Sequence, residues 1–517
     1  MSSAAAGAAP APHAVANRGA ITISVMLATI MQALDTTIAN VALPHMQGGM
    51  GATQDQISWV LTSYIVASAI VMPLTGFISA RIGRKRMFMW SVAGFTVTSM
   101  LCGAAMTLEQ IVLFRLLQGV FGAALVPLSQ SVLLDSYPRE KAGAAMAMWG
   151  VGVMIGPILG PSLGGWLTEM YNWRWVFYIN LPFGILTWVG LAVYVSETPI
   201  DPKRRFDLVG FTLLALAIGC LQLLLDRGHS LDWFASAEIT AEAVIAATAF
   251  AMFLVHIFTG EHTIVEPALF RDRNYAVGLV FIFVVGIILL ATMALLPPLM
   301  QGVMGYKIVD IGLLLAPRGI GTMLTMIIAG RLTGRVSPRS MIMAGLCFTA
   351  LSMWEMTHFG PFVQGWDVVR TGLIQGAGLG LMFVPLSTVA FATLAPHYRN
   401  EATALFSLMR NIGSSIGISI VITYLAQRVQ ANHAELAGFI NPFAWSLRSG
   451  MGAVPGLNPA QSLALINGEV SRQAATLAYL HDFHLMMWVT LAALPLAWLL
   501  RDPRKQASPG PHVAAAE

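Results

Sequence analysis

Long apolar segments alternate with short polar ones over almost the whole chain. A segment of about 20 residues with few charges is long enough to cross the hydrocarbon core of a bilayer as an α-helix. Fourteen such spans are predicted, at 20–43, 57–80, 87–106, 109–134, 142–167, 175–196, 207–226, 236–259, 275–300, 309–334, 340–359, 366–394, 402–426 and 483–500. The pattern therefore predicts an all-α polytopic membrane protein.

Composition and charge agree with this prediction. Of the 517 residues, 56% are hydrophobic and only 10% are charged, whereas soluble domains have about 25% charged residues. Eighteen lysines and arginines fall in segments assigned to one side of the membrane, and six fall in segments assigned to the other. Because basic loops stay in the cytoplasm, both termini are expected to be cytoplasmic. The same bias explains the sequence pI near 9.0 without a nucleic-acid partner.

An internal repeat divides the chain into two similar halves. Residues 118–156 align with 375–417, so that Pro127 corresponds to Pro385. Each half holds six spans, and the two spans between the halves have no counterpart. The expected regions are a disordered cytoplasmic tail (1–19), a six-helix bundle (20–206), two additional helices (207–274), a second six-helix bundle (275–500) with a long periplasmic loop (427–482), and a cytoplasmic tail (501–517). Parallel repeats of this kind are typical of secondary transporters, which bind substrate near the membrane midplane. The repeat alone is also compatible with a channel or a purely structural membrane protein.

Two charges interrupt the first and fourth spans, Asp35 and Arg115. A charged side chain at the centre of a membrane costs at least about 2.5 kcal/mol, so each must face protein or water and find a partner. Burial favours the neutral form of a carboxylate, which makes Asp35 the candidate group for binding and releasing protons. Polar residues assigned to the same site are Thr36, Asn40 and Gln118. The alternative for Arg115 is an interfacial position from which its side chain reaches the outer surface.

The loop after the second span, "GFISARIGRKRM" (76–87), combines glycines with basic residues. Glycines permit close helix approach and tight turns, and the basic side chains can contact helix C-termini or acids of the other half. The candidate gating residues are Gly76, Arg81, Gly83, Arg84 and Lys85. Charge alone would favour simple anchoring on the cytoplasmic side. A similar pattern at 330–339 favours a gating loop instead.

The fifth span is rich in glycine and proline. Its motif residues are Gly143, Gly152, Gly156, Pro157, Gly160, Pro161 and Gly164. Glycines four residues apart line one helix face and let a second helix approach closely, while prolines bend the helix. Close packing is therefore one role of this motif.

Several of these stretches resemble the motifs of a known family. The loop 76–87 is similar to the signature of the major facilitator superfamily, except that Ala80 stands where the family usually has an acid, so the resemblance gives no support for a charge relay there. "GAAMAMWGVGVMIGPILGPSLGG" is similar to the antiporter motif of the superfamily's exporters. "FRLLQGVFGAALVP" is similar to the fourth-helix motif, whose arginine is associated with proton transfer. "LDTTIANVALP", "WRWVFYINLPFGI" and "FDLVG" resemble the 14-span drug:proton antiporter-2 (EmrB/QacA) family, over about residues 20 to 500.

The resemblance implies the major facilitator fold with 14 transmembrane helices. It also implies a proton-coupled antiporter that exports hydrophobic or amphipathic drugs or toxic compounds across the bacterial inner membrane. A cationic or amphipathic substrate and a proton would compete for Asp35 or be coupled through it, and a contact with Arg115 would make protonation depend on conformation. The segment 427–482 resembles the loop of exporters that work with a periplasmic adaptor and, through it, an outer-membrane channel.

Other chemistry is not expected. The chain has no P-loop, its histidines form no ligand pattern, and its three cysteines lie in different spans, so no ATP hydrolysis, metal site, cofactor or enzymatic activity is predicted. Two other functions remain as alternatives. One is a dedicated exporter of a single metabolite, such as a siderophore, fatty acid or antibiotic, and the other is a non-transporting membrane sensor.

Overall fold

The computed structural model describes residues 17–202, 205–260, 263–440 and 459–501, and these residues form helices and short connections without a β-strand. The predicted tails 1–19 and 501–517 lie almost entirely outside the described residues. The helices in chain order are α1 (Arg18–Met50), α2 (Gln54–Val71), α3 (Leu74–Ile82), α4 (Arg84–Ala104), α5 (Leu108–Gly122), α6 (Leu125–Ser136), α7 (Ala142–Met170), α8 (Trp175–Tyr178), α9 (Asn180–Tyr194), α10 (Leu208–Arg227), α11 (Ala237–Thr259), α12 (Ala268–Arg271), α13 (Arg273–Pro298), α14 (Ile308–Leu332), α15 (Pro338–Met356), α16 (Gly365–Ala392), α17 (Arg399–Gly438) and α18 (Pro459–Ala492).

The all-α membrane fold is confirmed, and most predicted spans are present as long apolar helices. Twelve helices of the described ranges are long and apolar enough to cross a membrane, or thirteen when α2 and α3 count as one span bent by 59°. The bend falls at Pro73, which cannot donate a helical hydrogen bond. At the eleventh predicted span lies α15, which carries Arg339 and Glu355 near its ends and is not among these twelve helices. The full number of fourteen therefore remains a prediction.

The two halves pack against each other along two seams. Along one seam, α7 packs against α14 so closely that a side chain added at Gly330 would lie 2.7 Å from Ala147 Cβ. Near the other seam, α6 and α3 pack against α17. Small residues at these contacts allow close backbone approach, as expected for helices that associate in a membrane.

The two additional helices, α10 and α11, lie beside the second seam. α10 packs against both α2 and α17. Gln222 Nε2 donates to Ser415 Oγ at 3.0 Å, and Trp233 Nε1 donates to Thr423 Oγ1 at 3.2 Å. The insertion therefore contacts both halves through α10.

The long loop expected at 427–482 is corrected by the structure. α17 continues to Gly438 and α18 begins at Pro459, so most of this segment is helical, while 441–458 lie outside the described residues. Asn432 Nδ2 donates to the carbonyl oxygen of Ala474 at 3.2 Å, which ties the two extensions together. The predicted spans end where polar residues begin, because they were placed by hydropathy. A helix can nevertheless continue into water, because its backbone hydrogen bonds are internal.

The last span also differs from its predicted bounds of 483–500. α18 ends at Ala492 and a short 3₁₀ helix, Leu494–Leu499, follows with Pro495 in its first turn. Asp482, assigned to the loop by the sequence pattern, is fully buried in α18. Neither of its carboxyl oxygens has a hydrogen-bond partner in the described part of the chain.

Candidate functional site

Asp35 lies near the middle of α1 and only 1% of it is exposed. Its Oδ2 accepts a hydrogen bond from Arg115 Nη1 at 2.6 Å, and its Oδ1 accepts one from Gln118 Nε2 at 2.8 Å. Arg115 and Gln118 are one turn apart on α5, so one face of that helix presents both donors to the carboxylate. The contact between Asp35 and Arg115 that was hypothesised from the sequence is present in this conformation.

Arg115 makes two further hydrogen bonds. Its Nε donates to the carbonyl oxygen of Val60 at 3.1 Å, and its Nη1 donates to Gln118 Oε1 at 2.8 Å. The guanidinium carbon lies 4.4 Å from the centre of the Tyr64 ring, which adds a cation–π contact. A buried ion pair is stable only when further hydrogen bonds and good geometry offset desolvation, and this pair has both. The interfacial alternative for Arg115 is wrong, because the side chain is fully buried.

Asn180 is a further member of this cluster that the sequence pattern does not predict. Its Nδ2 donates to Asp35 Oδ1 at 2.8 Å and to Ser99 Oγ at 2.9 Å. The Ser99 hydroxyl in turn donates to the carbonyl oxygen of Phe177 at 2.9 Å. The sequence does contain a signal for this residue. Asn180 is the one side-chain amide in the apolar run "WVFYINLPFGI", and a buried amide needs a hydrogen-bond partner because leaving it unpaired is costly.

Thr36 and Asn40 do not join Asp35. The Thr36 hydroxyl donates to carbonyl oxygens of its own helix, at Gln32 and Ala33. Asn40 is exposed. Successive helical residues point about 100° apart, so positions 36 and 40 face away from the direction of the buried carboxylate.

The glycine and proline residues of α7 form its contact with α1. A side chain added at Gly156 would lie 2.5 Å from the backbone carbon of Ala33, and one added at Gly164 would lie 3.1 Å from Ile38 Cγ2. Gly152 and Gly160 face α1 in the same way, and Pro157 and Pro161 lie within the continuous helix. Gly143 instead meets Thr333 of the other half. The stripe therefore sets the distance between the helix that carries Asp35 and the helix at the seam.

The loop 76–87 lies at the end of the bundle that we call the basic end, defined by the turn at Gly83 between α3 and α4. Gly83 has φ +95°, a conformation that favours glycine. Glu197 accepts hydrogen bonds from the backbone N–H of Lys85 at 3.0 Å and of Arg86 at 3.2 Å, as an acid does at a helix N-terminus. The Lys85 ammonium donates to the carbonyl oxygen of Ala192 at 2.7 Å.

The two halves are joined at the basic end by a network of charges. Asp135 of the first half forms ion pairs with Arg84 of its own half and with Arg399 of the second half. Gly76 lies against Glu401 of α17, where an added side chain would be 3.0 Å from the Glu401 Cα. Among the gating residues, Arg81 alone is exposed. The basic end is therefore closed in this conformation.

This architecture defines a class of protein. Two helical halves pack along two seams and are joined by an ion pair at one end, and the first half buries a paired carboxylate near the middle of α1. Such an arrangement is that of a secondary transporter whose halves move about a central site.

The chain belongs to the Major Facilitator Superfamily, whose sequence profile matches residues 25–418. It is 35% identical over 491 residues to the multidrug export protein EmrB of Escherichia coli (strain K12), covering 93% of this chain and 95% of that protein. It is also 35% identical to the fatty acid resistance protein FarB of Neisseria gonorrhoeae, covering 93% of this chain and 96% of that protein. The human organic anion transporter MFSD10 (TETRAN) has a similar fold, with a TM-score of 0.57 over 91% of this chain and 99% of that chain, at 13% identity.

The Asp35 cluster balances its two opposite charges away from solvent. While Asp35 is ionised, Arg115 balances its charge at 2.6 Å. Removing either charge would leave the other without a counter-charge in a low-dielectric setting, which is costly. In the described residues no group of three or more His, Cys, Asp or Glu side chains is arranged to hold a metal ion.

Proposed function

We propose that this protein is a proton-driven antiporter that exports hydrophobic or amphipathic drugs or toxic compounds. The observation that carries the proposal is the Asp35–Arg115 pair, which is fully buried on helices α1 and α5 of a two-half transporter fold. The relatives named multidrug export proteins, which match over most of the chain, support the same class of substrate.

In the proposed cycle Asp35 carries the proton. Its two oxygens already accept hydrogen bonds from Arg115, Gln118 and Asn180, which leaves no room for a cationic substrate on the carboxylate itself. The proton and the substrate are therefore coupled through the pair rather than by direct competition for Asp35. Neutralising Asp35 releases Arg115, and the gain or loss of this ion pair biases the two arrangements of the halves.

The charge network at the basic end is the proposed gate. Opening that end separates Asp135 from Arg399, because the two residues belong to different halves. The opposite movement separates the halves at the other end, so that the central site faces one side at a time. α7 and α14, packed along the first seam, are the proposed contact about which the halves turn.

We place the protein in the bacterial inner membrane with both termini and the basic end in the cytoplasm. The excess of lysine and arginine in the segments at that end supports this orientation. The helical extensions of α17 and α18 then project into the periplasm. There they offer the surface proposed to bind an adaptor protein that connects to an outer-membrane channel.

The test is dye efflux from energised vesicles that contain the wild-type protein or Asp35→Asn. The variant is expected to lose efflux driven by a pH gradient and to retain substrate exchange without a gradient, because exchange needs binding but no net proton movement. Asp55→Asn, the same change at an exposed acid at the start of α2, is the matched control and should pump normally. Gradient-driven efflux by Asp35→Asn at the wild-type rate would refute the coupling role.

The breadth of substrates separates the multidrug exporter from a dedicated exporter. The relative named for fatty acid resistance is as similar as the relative named for multidrug export, so both kinds of substrate have support. Deletion of the protein is expected to increase susceptibility to many unrelated compounds. A change confined to one compound would identify the dedicated exporter.

A further inference from the structure

An aromatic contact joins the two halves between the basic end and the Asp35 cluster. Trp149 of α7 and Phe383 of α16 stack with their ring centres 5.7 Å apart and their planes inclined by 16°. This nearly parallel, offset arrangement is one of those that aromatic rings prefer. Only 1% of Trp149 and 7% of Phe383 are exposed. Because α7 belongs to the first half and α16 to the second, the contact must break when the halves separate at this level.

The stack lies at a depth between the charge network and the proton site. Along α7, Trp149 comes six residues after Gly143, near the basic end where the helix begins, and seven residues before Gly156, which packs against Ala33 of α1. An α-helix rises about 1.5 Å per residue, so the indole lies about 10 Å from either level. The stack therefore closes the interface between the halves behind the charge network.

Trp149 is held in place by the first half. Its indole Nε1 donates to Ser129 Oγ at 2.8 Å, and that hydroxyl donates to the carbonyl oxygen of Val126 at 2.7 Å. Phe383 is a hydrocarbon ring and is held by packing alone. The indole therefore keeps its orientation in the first half when Phe383 moves away with the second half.

The surroundings of the stack are apolar and adaptable. An added side chain at Gly150 would lie 2.6 Å from the Met326 sulfur and 3.6 Å from Phe383 Cδ1, so α7 lies directly against α14 and α16 here. Methionine is flexible and packs well beside aromatic rings of different shape. Separation of the halves uncovers the face of a fixed indole in this setting, and exposing that apolar surface is unfavourable.

We propose that Trp149 and Phe383 form a second, apolar layer of the gate, and that a flat aromatic ring of the substrate takes the place of Phe383 on the Trp149 indole when this layer opens. The inference rests on the proposed export function and names a residue that selects the substrate's ring. A substrate ring restores the stacking that separation breaks, which a saturated ring of the same size cannot do. Binding of an aromatic substrate therefore favours the conformation in which the halves are apart at this level.

The test compares two uncharged probes that share a tri(ethylene glycol) headgroup and a hexyl linker. One ends in naphthalene and the other in decalin, which has the same carbon skeleton but is not flat and has no π face. Affinity is measured by calorimetry with the full-length protein in lipid nanodiscs, after subtraction of binding to empty nanodiscs. Wild type is expected to bind the naphthyl probe about two- to tenfold more tightly. Apolar burial alone predicts the opposite order, because decalin is the more hydrophobic group.

Variants of the two rings are expected to behave differently. Trp149→Leu removes the π face but keeps an apolar side chain, so it should abolish the preference for the naphthyl probe. Phe383→Leu removes the ring that competes with the substrate, so it should tighten binding of both probes by about two- to tenfold and leave their ratio unchanged.

Two further variants complete the comparison. Trp149→Phe keeps a ring at this position and should retain part of the preference, so the inference is tested even where Trp149→Leu does not fold. Trp90→Leu, at an exposed tryptophan of α4, is the matched control, with unchanged affinities expected.

The outcomes separate this inference from the proposed function. Equal affinity of wild type for the two probes would overturn the aromatic site, as would an unchanged preference in Trp149→Leu or its complete loss in Trp149→Phe. Weaker naphthyl binding in Phe383→Leu would overturn the idea that the substrate replaces this ring. Each of these results leaves proton-driven dye efflux as it was. Failure of wild-type vesicles to move any dye under a pH gradient would instead refute export, and the comparison of probes would still decide the aromatic site.

Discussion

The pairing of Asp35 with Arg115 predicts strong energetic coupling between these two residues. In Asp35→Asn the arginine stays buried without an anion, and in Arg115→Gln the carboxylate stays buried without a cation. Breaking a buried ion pair by removing one partner costs about 3–5 kcal/mol. In Asp35→Asn, Arg115 keeps its hydrogen bond to Val60 and its contact with Tyr64. The expected loss of unfolding free energy in this variant is therefore at the low end, about 3 kcal/mol. Removing both charges leaves two neutral amides in hydrogen-bonding reach of Gln118 and Asn180.

The double variant should therefore be more stable than the sum of the single effects predicts, by about 2–3 kcal/mol. Thermal unfolding of the purified proteins in detergent, with the four members of the cycle measured side by side, gives this comparison. The expected order is wild type, then the double variant, then both single variants. Transport separates stability from function, because the double variant should fold and bind substrate but lose gradient-driven efflux.

The matched control is the pair Glu355 and Arg370, whose charged atoms lie 3.6 Å apart and whose arginine side chain is 51% exposed. An exposed pair contributes about 0–1 kcal/mol, so the same cycle made there should show little coupling. Additive effects of Asp35→Asn and Arg115→Gln would refute the reasoning, since they would mean that the two charges do not stabilise each other.

Three further predictions concern packing, gating and burial. Gly156→Leu should abolish transport because its side chain meets the backbone of Ala33, whereas Gly165→Leu on the same helix, with open space around it, should transport normally in vesicles. Asp135→Asn should raise the ratio of molecules with an open basic end to molecules with a closed one by about five- to thirtyfold, which corresponds to about one to two kcal/mol. Distances between spin labels on α6 and α17 measure this ratio. An unchanged distance distribution would contradict the gate. Asp482→Leu should preserve or raise the melting temperature, because an unpaired buried polar group costs about 1–3 kcal/mol, and a large decrease would show that this carboxyl has a stabilising partner.

Much of the fold follows from local patterns. The apolar segments predict the helices because each helix must be long enough to cross the hydrocarbon. The pairing of Asp35 with Arg115 also follows, since two opposite charges in adjacent parts of one bundle have few other ways to be satisfied. The bend at Pro73 and the end of α18 before Pro495 have the same kind of local cause, namely the missing N–H of proline.

Features that depend on tertiary packing were not predictable in this way. The extensions of α17 and α18 are long because the two helices pair beyond the apolar region, as at Asn432 and Ala474. Asn180 is distant from Asp35 in sequence, and only the packing of α9 against α1 and α4 brings its amide to the carboxylate. Asp482 looked like a loop residue because its burial comes from neighbouring helices and not from its own segment.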